Sequence, residues 1–363
     1  MAQLFPARLL AAPTLLAVAG VLLVLFCSTL DVRAQASPAT CDDAGGLAVL
    51  PSPLAPWRGA PLRVVVAAEH AAEGELSLIA PDGKVAASSR VRHGGPPYFW
   101  YAEVASPAAG TWHARLARAE CGTITRDIAV RADKPPAPSA TPGSVWPLRA
   151  TWNRATENLF SAWIEKLFDA PLDATPSWPA LHEVLRDRSR NMLFNHLGLG
   201  EDEMRIVLRP DCADFPYFLR AYFAFKMGLP AGYSKCTRGE GGRPPRCVAW
   251  SSIMSAATPV PQNASAPVSA VAPARPGLAA AFGRYAQTIA DAVHSGTGRT
   301  LASDDNTDYY PVPLSQATLR PGTVYADPYG HILMIAKRVP QADGAAGVIL
   351  AVDGQPDGTI ARK

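Results

Sequence analysis

The first 36 residues decide the chemical environment in which the rest of the chain has to fold. Arg8 is followed by an apolar run from Leu9 to Leu30, which leads into Ala34-Gln35-Ala36, a small-x-small cleavage pattern. The expectation is a secretory signal peptide over residues 1–36, cut after Ala36. Left uncut, the same 22 residues would be long enough to anchor the chain in a bilayer core of about 30 Å. The bulky Phe26 argues against lipid attachment at Cys27. Either way the remainder faces an oxidising, extracytoplasmic space, periplasmic or secreted, where cysteines pair.

Cysteine spacing then becomes informative. Of the six cysteines, Cys27 belongs to the leader. Cys41 and Cys121 bracket one β-rich region, and Cys236 and Cys247 bracket a short Gly/Pro/Arg segment, so disulfides 41–121 and 236–247 are expected, although sequence alone does not fix connectivity. Cys212 is left over. A lone thiol in an oxidising compartment is exposed to oxidation and usually has a reason to be there.

A length of 363 residues suggests two domains, and 48% hydrophobic with 18% charged positions excludes both a disordered chain and a coiled coil. A net charge of only +3 excludes a protein built around nucleic-acid phosphates. Thirty-five prolines point to substantial linker or loop. Residues 41–133 carry short β-branched and aromatic runs (Leu62–Ala67, Glu75–Ala80, Tyr98–Val104, Gly110–Ala117, Thr123–Val130) separated by turns such as Pro81-Asp82-Gly83. That spacing predicts an all-β immunoglobulin-like sandwich. Its histidines, His70, His93 and His113, lack metal-ligand spacing. Residues 134–148 read as a Pro-rich linker. Residues 149–363 form a mixed α and β region, opening with an amphipathic stretch from Thr151 to Phe168 and one or two helices between Trp178 and Leu197.

The chemically informative stretch is Pro210 to Pro230. Phe215, Phe218, Leu219, Tyr222 and Phe223 recur at helical spacing, and Gly228 and Pro230 end the pattern. This predicts a buried helix with Cys212 at its N-terminal lip, where free N–H groups and the helix dipole favour a thiolate. Asp211 and Asp214 oppose that ionisation, or cap the helix instead. The commonest fate of a free cysteine is a small buried hydrophobe. Its position and its partners set Cys212 apart.

A thiol nucleophile needs a base, and the base needs a group to orient it. Leu319–Val339 reads as two strands joined by a turn, with His331 opening the second strand after Gly330. The next strand, from Gly347, ends at Asp353. Antiparallel pairing of these two strands sets Asp353 beside His331, so Cys212, His331 and Asp353 are the expected catalytic set, with no cofactor or metal.

Asp211-Cys212-Ala213-Asp214-Phe215, continuing through Leu219-Arg220-Ala221 to Gly228-Leu229-Pro230-Ala231, resembles the cysteine motif of transglutaminase-like domains. Val352-Asp353 resembles that family's closing aspartate. Arg320-Pro321-Gly322-Thr323-Val324-Tyr325, followed by Gly330-His331-Ile332-Leu333-Met334-Ile335, resembles the histidine motif of NlpC/P60 cell-wall peptidases. Both families have a papain-like fold. The resemblance therefore implies a C-terminal papain-like α+β domain over 149–363, with a long insertion at about 236–310, and a thiol-dependent attack on an amide. Such a barrel would normally continue beyond the ten residues that follow Asp353. The resemblance further implies a peptide or peptidoglycan-like substrate in the cell envelope, with no nucleic-acid partner and membrane contact only through an uncut leader. The competing expectation is an inactive envelope binding or scaffold protein on the same fold.

Other chemistries lack their signatures. There is no Gly-x-Ser-x-Gly elbow, phosphate-binding Walker loop or dinucleotide fingerprint, and His182-Glu183 has no second histidine at zinc-protease spacing. Asn263-Ala264-Ser265 is a formal glycosylation acceptor.

Overall fold

The computed structural model describes residues 41–138, 141–255, 277–327, 329–341 and 347–363. The expected leader and Asn263 lie outside the described residues. Residues 39–363 make one compact unit. Its described part is β-rich, with four α-helices.

The N-terminal region holds β1 (Leu47–Ser52), β2 (Leu62–Ala68), β3 (Gly74–Ile79), β4 (Val85–Ser89), β5 (His93–Gly94), β6 (Tyr98–Val104), β7 (Gly110–Arg118) and β8 (Gly122–Val130). They form two antiparallel sheets ordered β1-β2-β6-β5 and β4-β3-β7-β8. Alternation decides what each strand buries. Leu62, Val64 and Val66 of β2 meet Trp100 of β6, Leu76 and Leu78 of β3, and Trp112 and Leu116 of β7 in a core between the sheets. The intervening Val65 and Ala67 are buried too, in a different core. An uninterrupted apolar strand such as Leu-Arg-Val-Val-Val-Ala-Ala is what burial on both faces requires.

The second cover of β2 is α1 (Arg154–Leu167). Asn153 caps it, accepting from the Thr156 N–H while the Thr156 hydroxyl accepts from the Asn153 N–H. Phe160, Trp163, Ile164 and Leu167 of α1 share a single core with Val65, Ala67 and Phe99 of the sandwich. Arg63, within β2, reaches across to the Met192 carbonyl at 3.0 Å. The two regions are therefore packed together by apolar burial. The Pro-rich stretch contributes to the same core, because Trp146 is buried edge-on against Tyr285 and donates to the Leu229 carbonyl at 2.9 Å.

Beyond α1 come β9 (Ser177–Trp178), α2 (Leu181–Arg186), α3 (Asp214–Met227), β10 (Gly232–Cys236), β11 (Cys247–Ser252), α4 (Leu278–Ala290), a 3-10 turn (Ser295–Arg299), β12 (Val324–Ala326), β13 (Ile332–Val339), β14 (Val348–Gly354) and β15 (Ile360–Arg362). β10 and β11 form a separate hairpin, and the others make an antiparallel sheet ordered β12-β13-β14-β15-β9. The aromatic face of α3 fills the core under this sheet, with Phe223 against Phe160 and Phe225 stacked on Phe282 of α4. Lys226, also on α3, is fully buried, ion-paired with Glu201 and with Asp202 at 2.6 Å, while Tyr222 donates to Asp202. Buried ammonium is tolerated only with such partners.

Cys41 is bonded to Cys121 and Cys236 to Cys247, which leaves Cys212 as the free thiol among the described residues. Two disulfides fit a protein that folds in an oxidising compartment. Among the described residues no helix is long and apolar enough to cross a membrane.

Candidate active site

The lip of α3 is built by Asp211. Its Oδ1 accepts from the N–H groups of Ala213 at 2.8 Å and Asp214 at 3.1 Å, and its carbonyl accepts from Phe215 N–H. Asp211 is thus the functional cap, and Cys212 sits in the first turn that it closes. Gly354, at the end of β14, lies directly beneath this turn. A Cβ added there would fall 2.6 Å from the Pro210 carbonyl oxygen and 2.7 Å from that of Asp211. Only glycine lets the strand and the thiol-bearing turn approach so closely.

β13 and β14 pair antiparallel, Met334 opposite Val352. That register sets Asp353 opposite Leu333, so His331, two residues before Leu333, is its diagonal neighbour on the same face. His331 Nε2 and Asp353 Oδ2 are 2.5 Å apart. Asp353 is fully buried, His331 partly open to solvent. The carboxylate accepts a hydrogen bond from Nε2–H, which leaves Nδ1 as the basic nitrogen of the ring. Gly330, at φ 110°, makes the turn that brings the chain into position for His331.

The half-buried Cys212 sulfur lies near the backbone N–H of Ile332, the residue adjoining His331, and is close enough to Asp353 to feel its charge. The structure thus places His331 against Asp353, and Cys212 near Asp353 and near the residue that follows His331. Burial pushes the thiol above its ordinary value, and the Asp211 and Asp353 carboxylates push it the same way, outweighing the Ile332 N–H. The expected lowering by the helix end is absent for a local reason: the Asp211 carboxylate occupies the N–H groups that would have faced a thiolate. A thiol raised in this way rests protonated rather than as a preformed anion.

Two features carry no local sequence signal. Lys363 Nζ lies 2.7 Å from Asp353 Oδ2, the same oxygen that faces His331, and Asp353 Oδ1 is buried with no hydrogen-bond partner among the described residues. Asp214 is also buried, its Oδ1 unpartnered, and burial together with the Asp211 carboxylate raises its pKa to about 8. Among the described residues, no group of three or more His, Cys, Asp or Glu side chains could hold a metal ion. No protein-family model matches the chain, and no curated protein matches it either.

Proposed function

We propose that the protein is an exported cysteine hydrolase of papain-like type, with an immunoglobulin-like sandwich packed on it, that cleaves or transfers an amide or isopeptide bond in a cell-envelope peptide. One observation carries this reading: His331 Nε2 lies 2.5 Å from the buried Asp353, with the Cys212 sulfur near the adjoining Ile332 N–H. In the proposed reaction, Cys212 Sγ attacks the carbonyl carbon while His331 Nδ1 takes the thiol proton, and Asp353 holds the imidazolium. The Cys212 backbone N–H contributes to stabilising the oxyanion. The imidazolium then protonates the leaving amine, and the resulting thioester passes to water or to a second amine. The substrate class rests on the sequence resemblance and the oxidising compartment.

A second reading, an inactive binding or scaffold protein, is favoured by the raised thiol and by the acids Asp211 and Asp214 that flank it. Incubation with peptidoglycan peptides and a fluorescent primary amine separates the possibilities. Release of new amino groups identifies a hydrolase, and covalent amine incorporation a transferase. Either activity is expected to vanish in C212A and H331N. Turnover that persists in both variants would exclude the thiol mechanism, and absence of turnover in the wild type across a panel of envelope peptides would leave the scaffold reading.

A further inference from the structure

We infer that the hairpin formed by β10, β11 and the loop between them is a docking surface for an anionic lipid membrane, a property independent of the thiol chemistry. Lys235, Arg238, Arg243 and Arg246 project from this hairpin and all four are exposed. None of the four has a side-chain ion pair or hydrogen bond among the described residues. Glu240 is the one acid within the hairpin loop. Asp304 and Asp305 lie near its base, where Asn306 donates to the Cys247 carbonyl at 2.6 Å, but neither carboxylate pairs with the four cations. Elsewhere some exposed arginines pair with carboxylates, as Arg90 with Glu75 and Arg154 with Glu69, while among the described residues others such as Arg115 and Arg205 do not. What sets the hairpin apart is four such cations on one short projection. Four unpaired cations on one short projection favour an anionic partner.

Exposed apolar groups on the same hairpin distinguish a membrane from a soluble anion. Val248 is 68% and Trp250 62% exposed. The indole lies across the main chain of β10, where a Cβ on Gly232 would fall 2.1 Å from Trp250 Cζ2. The ring is therefore held in place by its strand while its other face is open. A tryptophan beside arginines is the combination that seats at the headgroup level, indole in the interface and cations against phosphates. The Cys236–Cys247 disulfide closes the loop at its base, and the His294 imidazole bonds to the Cys236 carbonyl at 2.9 Å. The projection is thus anchored to the body of the protein.

The test uses the compact unit 39–363 in co-sedimentation with vesicles of phosphatidylcholine alone or mixed with an equal part of phosphatidylglycerol. Binding is expected to the mixed vesicles only and to weaken as salt shortens the screening length. At roughly fivefold in partition per cation, R238S/R243S/R246S should lose on the order of 100-fold. R238K/R243K/R246K should retain binding, because a lipid surface senses charge rather than guanidinium geometry. Brominated lipid should quench a part of the fluorescence that W250F removes. Equal binding to neutral vesicles, unchanged binding of the serine variant, or loss in the lysine variant would overturn the inference. So would binding to inorganic polyphosphate without binding to vesicles, which would make the partner a soluble polyanion.

Discussion

Replacing Gly354 by alanine tests how the site is assembled, because the obstruction is backbone rather than a side chain that can swing aside. The new methyl would meet the carbonyl oxygens of Pro210 and Asp211 at 2.6 and 2.7 Å and the Asp211 carbonyl carbon at 3.0 Å. Restoring ordinary contact requires the turn bearing Cys212 to move by about half to one ångström. Overpacking of this kind costs about 1–3 kcal/mol, which corresponds to a fall in Tm of roughly 1.5–4.5 °C for a unit of this size. The functional effect should be larger, since a displacement of about 1 Å between reacting groups costs on the order of 100-fold. G347A, just before the other end of β14 and with open space around its Cβ, is the matched control. Melting curves report the stability cost. Alkylation of Cys212 with iodoacetamide, in each background with and without H331N, reports the coupling of thiol and imidazole. G354A should melt lower, and its labelling should no longer respond to H331N, while G347A follows the wild type in both. A G354A protein that melts within about 0.5 kcal/mol of wild type and keeps the full H331N response would refute the close-packed turn.

Two other substitutions follow from the acids around the thiol. Asp211→Asn keeps the capping oxygen and removes the charge, so the pH midpoint for Cys212 alkylation should move down, with a faster rate at pH 8; an unchanged profile would show that burial alone sets the thiol. Asp214 has its pKa raised to about 8 in the folded protein, above its unfolded value near 3.9, so ionisation is costlier in the native state. Its contribution is therefore harmless below about pH 4 and grows more unfavourable up to pH 8. The stability gained by D214N in urea titrations should rise with pH across that window by up to about 1.4 kcal/mol per unit, and a gain that does not vary with pH would contradict it.

Much of the architecture was legible because it rests on short-range pattern. β-branched and aromatic runs between turns marked five strands of the N-terminal region, and the aromatic stripe of α3 read as a buried helix, whereas the covering of β2 on both faces was not read from its Val64-Val65-Val66 run. His331 and Asp353 could be paired because an antiparallel connection leaves little choice of neighbour. What was not legible depends on distant backbone meeting backbone. Nothing local to Gly354 announces that the Pro210 and Asp211 carbonyls press on it, nor does Lys363 announce that it shares an oxygen of Asp353 with His331. The burial of Trp146 was hidden by the prolines around it, and no local pattern marks Glu201 and Asp202 as the buried partners of Lys226. The sequence left the direction of the thiol's pKa open, because helix dipole and capping carboxylate compete for the same N–H groups, and it is the structure that shows Asp211 holding them.

Trapping of the acyl-enzyme tests the nucleophile most directly. The protein is incubated with an activated ester of an envelope-type peptide, quenched in acid, digested and analysed by mass spectrometry. The expected result is one acyl adduct on Cys212, released by hydroxylamine as a thioester would be and strongly reduced in H331N that retains the wild-type circular dichroism. Equal acylation of Cys212 in H331N, or an adduct located on another residue, would contradict the assignment of Cys212 as a nucleophile served by His331.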